Sequence, residues 1–541
     1  MSPDQILPEN NNDSSIDSDR KIFQSTIIVS SMTMLSRILG LIRDVVFARL
    51  FGASIVMDAF IVANRIPNML RRFFAEGAFS QGFIPVMTKY HTSNDTFKEK
   101  EFIDSVAGTF GFFLFLLTLI GVFAAPFLVI LVAPGFVDGD GRFDLATTML
   151  RFTFPYLFFI SMTAFAGGVL NSYGKFGASS FTPVILNVIL ILCALILAPR
   201  LEEPGMALAY GVFLSGVVQL IFQLPFLSKI RSIPIPRWNP LHKGVKRVYK
   251  LMLPALFGSS VAQINVLLSG MIASILGVGK ISLLYYSDRL MELPLGIFGI
   301  AIATVTLPYL SKHSDSNSSV EFSRTIDWSM KLMLAISVPS AIALIVLARP
   351  LMATIFYGGA FSADDVDMAG LSLQAFSIGL IGFSLVKILA PAYFAREDTR
   401  TPVRIGIIAL FVNIILSIFL TLILENSGFH ASHAGLALAI SIAAIVNALL
   451  LYRNLRNDEI IILSSDWFIF GCKIIFASIV MTGIVLYFDK PIEWWLNSDV
   501  LARSFRLSVI VILGVFTYFS VLVSLGIRIS YFLKSPNDDL S

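Results

Sequence analysis

Charge is scarce in this chain. Asp, Glu, Lys and Arg account for 14% of its 541 residues, where a soluble domain carries about 25%. That shortage excludes a soluble enzyme and a disordered protein. It also excludes nucleic acid as a partner, because a net charge of +4 is too thinly spread to hold a polyanion. Cysteine is nearly absent: Cys193 and Cys472 both lie in apolar runs and read as small core residues, not as a disulfide or a metal pair. The five histidines, His91, His242, His313, His430 and His433, fall in or beside polar connections. None belongs to an HExxH or CxxC pattern, and there is no Walker motif, so neither a metal nor any other cofactor is expected. Residues 1–19 are polar and acidic and lack the charged, apolar and cleavage regions of a signal peptide. The first apolar span is therefore expected to direct insertion.

What the sequence has is apolar length. Hydrophobic residues make up 56% of the chain and the mean hydropathy is +0.80. A bilayer core of ~30 Å needs about 20 helical residues per crossing. The runs are continuous rather than alternating, which fits helices and not a barrel. Breaking the chain at its polar, charged and Gly/Pro-rich points predicts fourteen spans: 23–48, 54–86, 103–132, 146–171, 178–197, 205–227, 251–274, 282–308, 332–355, 366–394, 405–423, 435–451, 465–487 and 500–526. Span two is too long for one straight crossing, and Pro67 and Gly77 predict a bend or break in it.

Placement of the cations fixes an orientation. With the N-terminus in the cytoplasm, inside segments hold 23 of the 40 Lys and Arg residues and outside loops hold 5, as the positive-inside rule requires. Both termini are then cytoplasmic. The longest inside loop carries Lys229, Arg231, Arg237, Lys243, Lys246, Arg247 and Lys250 around Trp238. It either lies along anionic headgroups or only fixes the topology.

Two stretches recur. FIPVMTKYHTSN at 83–94 matches TLPYLSKHSDSN at 306–317, and NSYGKFGASSFTPV at 171–184 matches PAYFAREDTRTPV at 391–403, with Tyr173 set against Tyr393. Spans one to six thus repeat as seven to twelve, with thirteen and fourteen added. Six is even, so the halves share an orientation. This predicts a pseudo-twofold axis along the membrane normal and a substrate cavity between the halves. The expected divisions are a polar cytoplasmic tail at 1–21, a first half at 22–228, a basic linker at 229–250, a second half at 251–456, and the two added helices with a short tail at 457–541.

A charge at the bilayer centre costs about 2.5–3.5 kcal/mol on insertion scales, so the charges inside spans are candidates for function. Span one carries Ser36, Arg37, Arg43 and Asp44 around Gly40; span two carries Asp58, Arg65, Arg71, Arg72 and Glu76; span eight carries Asp288, Arg289 and Glu292. Arg72 and Glu76 are spaced to pair. Arg349, Lys473, Arg503 and Arg506, near span ends, fit snorkelling or local pairing. In the first two spans the excess is positive. Either an anion completes it, with guanidinium matched to phosphate, or the charges pair only among themselves.

The segments SRILGLIRD, MDAFIVANRIPNMLRRFFAEGAFSQGFIP, YYSDRLMELPLGIFGIAIATVTLPYLSK and KILAPAYFAREDTRTPV resemble the MurJ/MviN family of lipid II flippases. That family lies in the multidrug/oligosaccharidyl-lipid/polysaccharide exporter superfamily. The resemblance runs from about residue 22 to the C-terminus. It implies an all-α integral membrane protein that moves lipid II, the undecaprenyl-diphosphate-linked disaccharide-pentapeptide, between leaflets of a bacterial inner membrane. Lipid II and membrane lipids are the implied partners, and a monomer suffices. The family's cavity arginines fall on Arg37, Arg43, Arg71 and Arg289, with Ser36 and Asp58 beside them as substrate-binding residues. Arg65, Arg72, Glu76, Asp288 and Glu292 are left as gate or ion-pair candidates. Spans thirteen and fourteen are implied to form a groove for the lipid tail. A sodium site built from acids in spans seven and eleven occurs in some members. Here spans seven, eleven and twelve contain no Asp or Glu, only Asn265, Asn413 and Asn447.

Other readings are a flippase for a different lipid-linked oligosaccharide and a drug/cation antiporter of the same superfamily. The antiporter would want carboxylates in its cavity, whereas the excess here is basic. A membrane glycosyltransferase would need catalytic carboxylates or metal ligands on a sizeable loop, and the large inside loop has no acid.

Overall fold

A computed structural model describes residues 11–73, 78–93, 95–137, 139–312 and 319–527. Among them there is no β-strand, only an isolated bridge between Gly358 and Phe361. The helices are α1 (Asn11–Phe51), α2 (Ile55–Arg71), α3 (Ala78–Thr92), α4 (Thr96–Phe123), α5 (Ala125–Val132), α6 (Arg142–Thr153), α7 (Tyr156–Ser172), α8 (Phe176–Leu192), α9 (Met206–Lys229) and α10 (Lys243–Ile275). They continue as α11 (Lys280–Lys312), α12 (Ser319–Val346), α13 (Ala348–Ile355), α14 (Ala363–Ala395), α15 (Arg400–Asn426), α16 (His433–Asn457), α17 (Trp467–Phe488), α18 (Ile492–Asn497) and α19 (Val500–Ser524).

Every one of the fourteen expected spans coincides with helix. In span two, α2 runs through Pro67 to Arg71 and α3 begins at Ala78; residues 74–77, with Gly77, lie outside the described residues. Spans three, four and nine are each made of two consecutive helices. By length and composition alone, ten helices among the described residues can cross a membrane, and they correspond to spans three to six and nine to fourteen.

Two compact units emerge. One comprises the chain up to Val46, Ala63–Ala125 and Thr147–Phe257. Its core gathers Phe79, Phe83, Phe102, Phe110 and Phe165 with Met87 and Met252. The other comprises Phe47–Val62, Pro126–Ala146 and everything from Gly258 on. Its core includes Met330, Met333, Leu389, Tyr393, Leu451 and Leu455.

The internal repeat reaches down to single turns. α7 closes with Lys175 N donating to the Leu170 carbonyl and Gly174 N to Asn171, with Gly174 at φ +70°. α14 closes identically: Asp398 N donates to Tyr393, Glu397 N to Phe394, and Glu397 sits at φ +60°. Tyr393 therefore corresponds to Leu170, not to Tyr173 as the sequence match suggested. This shift restores the spacing that relates Pro85 to Pro308.

The basic linker is not a loose headgroup segment. α9 ends at Arg231 (φ +55°) and α16 at Glu459 (φ +55°), each in the same left-handed turn. An extended stretch follows each. In the first, Ile235 N donates to the Asp104 carboxylate and Lys100 donates to the Ile233 carbonyl. In the second, Ser464 Oγ donates to Asp327, and Ser323 exchanges hydrogen bonds with the Ile462 backbone. Asp104 and Asp327 stand as far apart in the chain as Pro85 and Pro308. A buried Lys331 adds ion pairs to Asp327 and Asp466 at 3.5 and 2.6 Å, fastening the approach to α17 onto α12.

Candidate functional site

The charges of α1 are organised by a residue from α8. Arg43 donates through Nε and Nη2 to Asp44 Oδ1 at 3.0 and 2.7 Å. Its Nη1 donates to Asn187 Oδ1 at 3.0 Å. The Asn187 amide nitrogen reaches back to the Ser36 carbonyl at 3.0 Å, so both ends of that amide are committed and its orientation is fixed. Asp44 and Asn187 are buried, while the Arg43 side chain keeps 15% of its exposure. Arg37, on the same helix, is exposed. A pinned, part-exposed guanidinium on the same helix as an exposed second arginine adds positive charge that suits an anion.

In the other unit a different network forms. The Asp58 carboxylate accepts from Gly279 N at 2.6 Å, Ser282 N at 2.9 Å and Ser282 Oγ at 2.6 Å. Asp58 is fully buried. Arg142, 3% exposed, approaches it at 3.9 Å and donates to the carbonyls of Gly277 and Gly135. Gly135 N in turn donates to Ser274 Oγ at 3.1 Å. Alongside, Ala360 N donates to the Arg49 carbonyl at 2.8 Å. Gly52 and Gly359 both sit at φ +61°, each where a Cβ would strike the opposite backbone, so only glycine allows this approach. Residues 47–62 and 126–146 are thereby fastened to α10, α11 and the 356–361 turn.

The sequence model for the family described as lipid II flippase MurJ matches residues 47–505. The chain belongs to the MurJ lipid II flippase family. A probable lipid II flippase MurJ of Vibrio cholerae is 46% identical over 518 residues, covering 94% of this chain and 97% of that one. The lipid II flippase MurJ of Burkholderia cenocepacia is 40% identical over 520 residues, covering 95% and 99%. Among solved structures, a lipid II flippase MurJ in an inward closed conformation superposes with a TM-score of 0.75 at 27% identity, covering 92% of this chain and 98% of that one. An inward-facing MATE transporter of the MOP superfamily reaches a TM-score of 0.65 at 15% identity, a likeness of fold.

Within this MurJ-family chain the expected site residues divide between the two units. Ser36 and Arg43 meet through Asn187. Arg71 bonds Asn68 at 3.2 Å and lines a cleft of the same unit. Arg289, in the other unit, pairs with Glu292 at 3.0 Å and lies 4.9 Å from the Tyr285 ring; Asp288 beside it is half-buried. Arg65 is half-buried and Arg72 exposed, while Glu76, the expected partner of Arg72, lies outside the described residues. Asp58 departs from expectation: it was placed with the substrate-binding residues, yet its carboxylate is filled by three donors and closed off from solvent. Arg503 departs too. Instead of snorkelling it is 5% exposed and donates to the Ala353 carbonyl at 2.7 Å.

Two residues escaped the sequence reading. Asn187 is the one polar side chain in the run PVILNVILIL, and a lone amide in such a run was a usable signal. Arg142 sits in the polar stretch DGDGR and resembled any loop cation. In place of the acids of a sodium site, Asn413 donates to Asn265 at 2.7 Å and accepts from Ser417 at 3.2 Å, a neutral cluster.

Proposed function

We propose that this protein carries lipid II from the inner to the outer leaflet of a bacterial inner membrane by alternating access. It is a transporter and not an enzyme, as its family membership establishes. The observation that carries the headgroup assignment is Arg43, a part-exposed guanidinium within a span that Asp44 and Asn187 hold in one orientation. Arg37 and Arg71 add charge in the same unit, and with Arg43 they bind the diphosphate. The two six-helix halves divide near residue 228, both termini are cytoplasmic, the protein works as a monomer, and α17 and α19 form the groove for the lipid tail.

In this orientation the Asp58–Arg142 network lies at the outer end and closes it. Its hydrogen bonds join residues 47–62 and 126–146, from the first half, to the second. Release outward requires breaking them. Movement is assisted by the membrane potential, since each negative charge carried outward gains about 2.3 kcal/mol per 100 mV with the inside negative. The neutral Asn265–Asn413 cluster supports a cycle that does not draw on sodium through acids at that position.

The test is depletion of the protein in its source cell, followed by measurement of which leaflet holds lipid II. Lipid II retained in the inner leaflet is the expected result. Normal outer exposure, with a different lipid-linked sugar accumulating, overturns the assignment.

A further inference from the structure

Apart from the arginines, the first unit contains a polar cleft that the diphosphate does not account for. Its volume is about 340 Å³, at the small end of the roughly 300–1,000 Å³ of ligand sites, so it has room for part of a headgroup. Its walls come from α3, α7, α8 and α9, and Arg71 stands among its lining residues. Along α7 the lining runs from Tyr156 to Asn171, about 22 Å at helical rise, which makes it long and narrow.

Away from Arg71, the hydroxyl donors of this cleft are largely spent within the protein. Thr163 spends its hydroxyl proton on the Phe159 carbonyl, and Ser179 on Asn171 and Phe176. The Gln219 amide nitrogen donates to the Thr182 carbonyl at 2.7 Å. That bond fixes the amide, because a flipped group would set oxygen against oxygen. Gln219 Oε1 is then a buried acceptor with no partner, and Gln223, one turn on, sets a second buried amide beside it whose Oε1 also lacks one and whose orientation no hydrogen bond within the protein fixes; both residues are 1% exposed. A buried acceptor without a donor costs about 1–3 kcal/mol, so two side by side call for a ligand that brings O–H or N–H groups.

The repeat shows that the fold does not require a glutamine at position 223. By the matching turns that end α9 and α16, Leu227 corresponds to Leu455. One turn back, Gln223 therefore corresponds to Leu451, a core residue of the second unit. Gly167 points the same way: a Cβ there would lie 3.1 Å from Ser179 and narrow the cleft.

We propose that this cleft is the subsite for the neutral, hydroxyl- and amide-bearing sugar portion of the headgroup, with Gln219 and Gln223 accepting its hydrogen bonds and Arg71 joining it to the diphosphate. The assignment rests on the flippase reading and adds to it a means of telling a glycosylated from a bare polyprenyl diphosphate. Two purified variants test it, Gln219→Leu/Gln223→Leu and Gln223→Leu alone, with lipid II and undecaprenyl diphosphate as probes. The single variant breaks no hydrogen bond within the protein and copies the residue found in the second half, so it folds even if the double variant does not. Lipid II binding falls roughly 10- to 100-fold in the double variant and about 3- to 10-fold in the single one, two bonds and one at ordinary strength. Undecaprenyl diphosphate binding stays at the wild-type value, whereas Arg71→Ala weakens both probes. Wild-type affinity for lipid II in the Gln223→Leu variant overturns the subsite, as does a wild-type protein that binds the two probes equally. A wild-type protein that binds neither overturns the flippase reading beneath it.

Discussion

Replacing Asp58 with asparagine tests the outer closure most directly. The carboxylate accepts three hydrogen bonds, two from Ser282 and one from Gly279 N, at 2.6–2.9 Å. Asn keeps one acceptor and turns a donor toward a site already crowded with donors. The Asn oxygen can keep both Ser282 bonds, which share Oδ1, but the bond from Gly279 N to Oδ2 is lost, at about 1.5–3 kcal/mol, and burial prevents water from replacing it. The closed arrangement should weaken by about that much, roughly a 10- to 100-fold shift toward the open state. Ala53 reports this well, because its carbonyl lies against Gly279. With Cys193 and Cys472 replaced by serine, Ala53→Cys should react with a membrane-impermeant maleimide at least ten times faster when Asp58→Asn is present, and lipid II transport should slow. Equal labelling and normal transport in an abundant Asp58→Asn protein would refute the closure.

Three further outcomes are expected. Arg43→Lys cannot reproduce the bonds to both Asp44 and Asn187, so lipid II binding should drop about 10- to 100-fold, and Asn187→Leu should lower it as well; if Asp44→Asn rescues Arg43→Ala, the arginine is there to balance the acid. A reporter fused after Arg456 should read as cytoplasmic and one between Glu425 and His433 as periplasmic, the reverse being fatal to the fourteen-span topology. Lys331→Met leaves Asp327 beside an uncompensated site and should cost about 3–5 kcal/mol, visible as reduced abundance and a lower melting temperature, while a variant as stable as the wild type would show that the ion pairs with Asp327 and Asp466 contribute little.

How much of this was legible beforehand depended on the physics of each feature. The spans could be read because burial in lipid forces long apolar runs. The repeat was read correctly in outline and misaligned at Tyr173, since two tyrosines look alike in letters while the turn that defines the register shows only in hydrogen bonds. Arg43 stood out because its charge is costly where it lies. Its partner Asn187 is 144 residues away, and no local spacing joins them. Asp58 looked like any acid in a cavity-lining span, and only Gly279 and Ser282, both uncharged and distant, show that it is closed in. The straps on Asp104 and Asp327 were invisible because their partners, the Ile235 amide and the Ser464 hydroxyl, lie more than 130 residues away, where no local spacing joins them.

The first of those straps has a mechanical consequence. Residues 233–239 are tied to α4 by Lys100, Asp104 and Thr109, and a Cβ at Gly108 would run into the Arg237 backbone. The longest connection in the sequence is thus a stiff brace and not slack tether, and a tag or protease site inserted there would loosen the brace instead of passing unnoticed. The chain passes from one compact unit to the other elsewhere: inside α10 after Phe257, where Pro254 lies just before the crossing, and again near residues 46, 62, 125 and 146. Those crossings, not the loop, are where the backbone between the units can bend.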